Sequence, residues 1–212
     1  MTDAASGRRV SDSPVTARKA PRRQRKGKVP AQLREHTDPA TTYAREVIEG
    51  RRKVGRMVYE ACKRHLADLS AGIHLWSPER GDKFADFART FLSVNSPLET
   101  DYVPFEFVPW QAFCAYSIMG WRVKEGDRHK RVPGSRRYRT AQLLTGKGSG
   151  KSPFGAAMAL YMLTADRYVK LDGTIVREKE PEGYIIASTK EQAQSVAMTP
   201  AASMLARGDS KE

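Results

Sequence analysis

The chain has 212 residues, a net charge of +13 and 40% hydrophobic residues, so it can bury a core in one or two domains. No apolar run reaches the length of a membrane-spanning helix, and the basic N-terminus lacks the apolar segment of a secretory signal. Cys62 and Cys114 are far apart and are interpreted as small buried hydrophobes in a reducing compartment. We therefore expect a cytoplasmic protein with no membrane partner.

Residues 1–36 differ in composition from the rest of the chain. They carry ten Lys and Arg residues against three acidic residues, a net charge of +7, and they contain no aromatic residue. Such a segment buries too little apolar surface to offset the entropy lost on ordering. We predict a disordered basic tail. Its charge is compatible with a nucleic-acid partner and equally with solubility alone.

Residues 37–100 are predicted to form a helical N-terminal region. Asp38 and the proline after it are typical of a helix start, and apolar residues recur with helical spacing over 43–69. Gly50 and Gly55 predict a break between a short helix and a longer one. The opposite face is strongly basic, which is usual for a solvated surface and is also compatible with DNA contact.

Residues 101–212 are predicted to form the start of a nucleotide-binding domain. A helix starts at Pro109 and is expected to include Trp121, and residues 140–145 are expected to form a short buried strand. A second buried strand is predicted over 184–187, followed by a polar helix that Thr189 caps. Strand, loop, helix, strand and helix in this order indicate an α/β fold with a parallel sheet.

The segment between the first strand and its helix carries the clearest motif. Residues 145–152 read Thr-Gly-Lys-Gly-Ser-Gly-Lys-Ser, and apolar residues follow from Phe154 to Tyr161 with helical spacing. A glycine-rich turn at a helix N-terminus presents unpaired backbone N–H groups and a positive dipole end to phosphates. We predict a phosphate-binding loop whose ligand-binding residues are Gly146, Gly148, Ser149, Gly150, Lys151 and Ser152.

Two side chains of this loop have chemical roles in the motif. Lys151 supplies a cation for the β- and γ-phosphates of ATP, and the Ser152 hydroxyl is placed to bind Mg²⁺. The sequence departs from the consensus at Thr145, where glycine is expected, and at Pro153, which removes one backbone donor. The alternative interpretation is a flexible surface turn rich in Gly, Ser and Lys.

These landmarks together resemble the large subunit of tailed-phage terminases, the ATP-driven DNA-packaging motors, particularly those of phages of high-GC Gram-positive hosts. The resemblance extends from about residue 43 to the C-terminus. The matching segments are 43–50 (Tyr-Ala-Arg-Glu-Val-Ile-Glu-Gly), 61–69, 107–111 (Phe-Val-Pro-Trp-Gln), Gly120-Trp121, the phosphate loop and 187–193 (Ala-Ser-Thr-Lys-Glu-Gln-Ala).

The resemblance implies roles for two further residues. Lys147 occupies the place of a basic residue that stabilises the transferring phosphate, and Gln111 matches a glutamine that recognises adenine. The alternative for Lys147 is a solvated loop lysine, and the alternative for Gln111 is an ordinary residue at a helix start. The family implies ATP and Mg²⁺ as cofactors. Its partners would be double-stranded phage DNA, the portal protein, the small terminase subunit and further copies of the chain. It also implies a location in the host cytoplasm and, transiently, at the procapsid portal.

The sequence lacks one part that such an ATPase requires. No apolar strand after Ser152 ends in the acidic pair that holds Mg²⁺ and orients water, so the parallel sheet is expected to be incomplete. The chain thus resembles the N-terminal third of a terminase large subunit and is expected to hydrolyse ATP negligibly alone. Another P-loop enzyme, such as a helicase-like ATPase or small kinase, and a non-catalytic module that binds DNA or a partner, remain alternatives.

Overall fold

A computed structural model of the protein describes residues 27–95, 101–127, 129, 131–169, 172, 174–177 and 180–206. The first 26 residues of the predicted tail lie outside this range. Residues Ala31–Arg34 form a short 3₁₀ helix, Leu33 is only 2% exposed, and the Gly27 N–H donates to the Ile48 carbonyl at 2.8 Å. The prediction of disorder over 1–36 is therefore wrong for its last part, because Leu33 finds a place in the core.

The described residues contain seven α-helices. They are α1 (Pro39–Ile48), α2 (Arg56–Ala71), α3 (Glu79–Phe91), α4 (Pro109–Gly120), α5 (Lys151–Thr164), α6 (Lys190–Ala193) and α7 (Thr199–Ala206), with a π-helical turn (Gln194–Met198) between the last two. Asp38 caps α1 as predicted, accepting the Thr41 N–H at 2.9 Å, and Thr189 caps α6 by accepting the Gln192 N–H at 3.1 Å. The predicted break around Gly50 and Gly55 is confirmed, since it separates α1 from α2.

The strands form three two-stranded sheets, all of them antiparallel. β1 (Leu75–Trp76) pairs with β4 (Trp121–Arg122), β2 (Ser93–Asn95) with β3 (Tyr102–Pro104), and β5 (Tyr168–Val169) with β6 (Ile175–Val176). Trp121, expected on the helix that starts at Pro109, instead begins β4. The chain is thus a mixed α/β protein, and no parallel pairing occurs within the residues that the structure describes.

The two predicted buried strands are not strands in the structure. Residues 140–145 and 184–187 have no regular secondary structure, and Leu144 is 82% exposed while Ile186 is 95% exposed. Their apolar sequences match a buried strand, but a strand requires a paired neighbour for its backbone N–H and C=O groups. Neither segment has such a neighbour among the described residues, which is why these two predictions fail.

The centre of the helical region is a hydrogen-bonded histidine. His65 is 2% exposed; its Nδ1 accepts from Trp121 Nε1 at 3.1 Å, so its Nε2 carries the proton and donates to Thr41 Oγ1 at 3.0 Å. The rings of Trp76 and Trp121 pack against the imidazole with centroids 4.7 and 5.6 Å away. Burial lowers the pKa of His65 to about 4, so it is neutral at pH 7.

An aromatic cluster joins α5 to the helical region. Phe84 lies 4.8 Å from both Phe107 and Tyr161, and Phe107 lies 5.6 Å from Phe154, measured between ring centroids. Phe84 and Phe154 are fully buried. Phe154 and Tyr161 lie on the same face of α5. The cluster therefore fixes the orientation of this helix and the position of the loop that precedes it.

The described helices include none that is long and apolar enough to cross a membrane. Cys62 is buried, Cys114 is half-buried, and both are free thiols. Burial raises the pKa of Cys62 to about 12 and that of Cys114 to about 11, so neither is a reactive thiolate at neutral pH. The interpretation of both cysteines as small buried hydrophobes agrees with this geometry.

Candidate functional site

The predicted phosphate loop is a glycine turn that leads directly into α5. Gly148 and Gly150 both have a φ of +78°, in the left-handed region where residues other than glycine are strained. A Cβ at Gly150 would in addition lie 3.0 Å from Gln111 Nε2, whereas a Cβ at Gly146 would meet nothing within 4 Å. The turn therefore depends on glycine at 148 and 150, and its outer side at Gly146 is open.

The first turn of α5 has unpaired backbone donors. Gly150 is the N-cap and offers no side-chain acceptor, and Pro153 has no N–H group. The first bond of the helix runs from the Phe154 N–H to the Gly150 carbonyl at 3.1 Å. The N–H groups of Gly150, Lys151 and Ser152 donate to no acceptor in the described part of the chain. Free donors and a positive helix dipole at one point favour an anion there.

The side chains of the loop surround these donors. The hydroxyls of Thr145 and Ser149 lie 2.7 Å apart and close the base of the turn. Lys151 is exposed, and its Nζ donates to the Gly146 carbonyl at 3.3 Å, so the ammonium group lies over the turn. Ser152 is half-buried in the first turn of α5, and Lys147 is exposed in the loop. The structure thus brings all the predicted loop residues together.

Gln111 connects this loop to the start of α4. It is 3% exposed; its Oε1 accepts the Val108 N–H at 3.1 Å, and its Nε2 donates to the Gly150 carbonyl at 3.1 Å. The predicted adenine-binding glutamine therefore lies beside the glycine turn. Both polar atoms of its carboxamide are engaged with the backbone. The oxygen is bonded at the N-cap of α4 and the nitrogen at the N-cap of α5.

The sequence analysis did not predict this bridging role, although the sequence indicates one of the two contacts. Gln111 is the third residue of α4, the position from which a Gln side chain reaches back to the N-cap N–H. The contact with Gly150 joins residues 39 positions apart and has no local signal. Trp110 strengthens the same junction, because its ring packs edge to face on Phe154 at 5.7 Å.

Acidic side chains do not gather at the loop. No group of three or more His, Cys, Asp or Glu side chains that could hold a metal occurs among the residues described. Asp166 follows the C-terminal end of α5 and pairs with Arg136 at 3.4 Å. The 14 residues of α5 place that carboxylate about 20 Å from the loop. Ser152 thus remains the loop's own hydroxyl candidate for Mg²⁺, with no such cluster of metal-ligating side chains beside it among the residues described.

We compared the chain with protein-family models, with curated proteins and with solved structures, and none of the three comparisons gave a significant match. The functional interpretation therefore rests on the sequence resemblance and on the geometry of the loop.

Proposed function

We propose that the chain is the ATP-binding portion of a P-loop ATPase and that the loop 145–152 holds the phosphates of ATP with Mg²⁺. The observation that carries this proposal is the set of unpaired N–H groups at Gly150, Lys151 and Ser152, at the N-terminus of a helix anchored in the core. A glycine turn with an open outer side lets phosphate oxygens approach the backbone closely.

Binding would rearrange few groups. The ammonium of Lys151 would exchange the Gly146 carbonyl for phosphate oxygens, a charge-assisted contact stronger than the one it leaves. The Ser152 hydroxyl would be a ligand of Mg²⁺, which in such sites takes its other ligands largely from phosphates and water. Gln111 would hold the Gly150 carbonyl and so keep the neighbouring N–H groups aimed at the ligand.

We further propose that this ATPase is the large subunit of a phage terminase, which powers DNA translocation into the procapsid. The support is the order of the matching segments along the sequence, including the loop, Gln111 and 187–193. In that role Lys147 would stabilise the charge that develops on the transferring phosphate. Phage DNA, the portal protein, the small subunit and further copies of the chain would be its partners. The host cytoplasm and the procapsid portal would be its locations.

The parallel sheet belongs to the same proposal. Residues 140–145 and 184–187 are apolar segments that flank the loop and α5, and they leave Leu144 and Ile186 exposed. Pairing them side by side would bury these side chains and give the loop the strand that precedes it in P-loop proteins. A parallel pairing would be detected as protection of their backbone amides from hydrogen exchange when ATP is bound.

A second candidate function is nucleotide binding without hydrolysis, in a non-catalytic module that binds DNA or a partner. The observation that favours it is the lack of a carboxylate cluster at the loop within the described residues. Phosphoryl transfer needs an oriented water and a bound metal ion that neutralises the developing charge. Lys147 and Lys151 supply only positive charge. We expect the isolated chain to release phosphate from ATP negligibly. Lys151-dependent turnover would favour the catalytic alternative.

Calorimetric titration with ATP and Mg²⁺ tests the binding site itself. We expect Lys151→Ala to weaken ATP binding by about ten- to a hundredfold, since one charge-assisted contact is lost. Lys63→Ala is the matched control, because Lys63 is an exposed lysine on α2, away from the loop. Equal affinity of wild type and Lys151→Ala would contradict the proposal, and so would an equal loss in the Lys63 control.

A further inference from the structure

A second basic site lies at β4, where the buried Arg122 has an unpaired Nε. Arg122 belongs to β4 and is 3% exposed, yet its Nε has no hydrogen-bond partner among the described residues. Burial, followed by the proximity of Arg80, lowers the pKa of Arg122 to about 10, so the guanidinium still carries its charge at neutral pH. A buried charge without a hydrogen-bonded counterion is strongly unfavourable.

Arg122 lines a cavity of about 740 Å³, within the size range of small-molecule sites. The Oγ of Ser135, a second buried polar atom without a partner, lines the same cavity. Backbone bonds hold this segment against β4: the Val123 N–H donates to the Ser135 carbonyl and the Arg137 N–H to the Trp121 carbonyl, both at 2.9 Å. The backbone that carries the two unpaired groups is therefore held in place, and both groups line one cavity.

The rest of the lining is basic on one side and apolar on the other. Arg136 and Arg139 add positive charge to the lining. The Asp166 carboxylate interacts with Arg122 but is already paired with Arg136 at 3.4 Å. Met158 and Met162, on the second half of α5, form part of the apolar wall. None of residues 145–152 lines this cavity, and Met162 lies about 16 Å along the helix from Lys151, so the cavity is distinct from the loop.

We propose that this cavity binds a small phosphate ester, with Arg122 and Ser135 as its buried donors and Arg136 as its outer cation. The planar guanidinium offers a fork of donors that matches phosphate oxygens, and an anion would accept the unpaired Nε–H and balance the charge that Asp166, paired with Arg136, does not. Because Arg122 is almost fully buried, a phosphate must enter the cavity to reach it. This favours a small ester over a phosphate held in a duplex backbone, and the apolar wall would contact its organic part.

The test uses the full chain carrying Lys151→Ala, so that binding at the loop is weakened and the Arg122-dependent part of the response can be separated from it. Its melting temperature is measured with inorganic phosphate, with adenosine monophosphate and with a short DNA duplex, each against chloride at equal ionic strength. We expect both small ligands to raise the melting temperature, adenosine monophosphate more than phosphate. Adding Arg122→Met should weaken the apparent affinity about tenfold or more. Arg51→Met, at an exposed arginine, should leave it unchanged.

Three outcomes would overturn the inference. The first is that adenosine monophosphate stabilises the Arg122→Met and Arg51→Met proteins equally. The second is that neither small ligand stabilises the protein. The third is that only duplex DNA gives a stabilisation that depends on Arg122. If Arg122→Met does not fold, Ser135→Ala decides, because it removes only a buried hydroxyl that has no partner in the free protein. An unchanged response to phosphate in Ser135→Ala would then contradict the site.

Discussion

The helical region from residue 31 to 122 has a buried aromatic core, whereas the region from 140 to 206 buries one face of α5 but leaves its non-helical apolar segments exposed. In the first, Trp121 and Phe84 are fully buried, and each lies against rings from other parts of the chain. In the second, Leu144 and Ile186 are largely exposed. A helix satisfies its own backbone and needs only a packing partner, whereas a strand also needs a paired edge. The difference teaches that the helices find packing partners within the described residues, whereas the two apolar segments lack a paired strand there.

Replacing one apolar side chain in each region is the largest test of this comparison. Trp121→Ala should reduce the free energy of unfolding by about 4 kcal/mol, because a large cavity forms and His65 loses a donor. Ile186→Ala, at a side chain that is 95% exposed, should change it by less than about 0.5 kcal/mol. Urea denaturation measures both. Similar losses in the two variants would show that the second region is packed as firmly as the first.

Acid titration of stability sharpens the comparison, since the core of the first region contains a neutral histidine. The pKa of His65 is about 4 when folded against a usual 6.5, so the unfolded state binds the proton more readily. Stability should be highest above pH 6.5 and should fall by about 3 kcal/mol down to pH 4 from this residue alone. His65→Gln should lose that part of the pH dependence. An identical pH slope in wild type and variant would assign the slope to other groups.

The extent of the first region can be tested at its N-terminal boundary. Leu33→Ala should cost about 2 kcal/mol of unfolding free energy, because the side chain is 2% exposed in the core. A chain starting at Thr37 should therefore melt at a lower temperature than the whole protein. Val132→Ala, at a half-exposed side chain, is the control. If removal of residues 1–36 leaves the melting temperature unchanged, the contact made by Leu33 contributes nothing.

The smallest expected effect concerns the bridge between the two regions. Gln111→Ala should destabilise the protein by about 1 kcal/mol, because the Val108 N–H and the Gly150 carbonyl each lose a partner. If Gln111 also recognises adenine, the variant loses its preference for ATP over GTP while keeping most of its affinity for triphosphate. Calorimetry with both nucleotides separates the roles. An equal weakening of ATP and GTP would make Gln111 a positioning residue only.

Local signals in the sequence predicted the parts of the fold that depend on neighbours in the chain. Asp38 as an N-cap, the break near Gly50 and the glycine turn before α5 were all correct, because caps and turns are determined by a few adjacent residues. The apolar run at 140–145 predicted a strand that did not form, since strand formation depends on a distant partner. The Gln111 bridge and the unpaired Arg122 were also beyond the sequence, because both depend on segments that meet only after folding.

The indole N–H groups of Trp76 and Trp121 have different acceptors although their rings are in contact, and Trp110 lies elsewhere, so the three tryptophans can report different events. The indole N–H of Trp121 donates to His65 in the core, so its proton should exchange with solvent only when the whole helical region unfolds. The indole N–H of Trp76 donates to the half-buried Asp38 at 3.3 Å and should exchange after smaller openings. Trp110 lies beside the glycine turn on Phe154, where its fluorescence should respond to a bound nucleotide. A single unlabelled sample thus gives separate signals for global unfolding, local opening and occupancy of the loop.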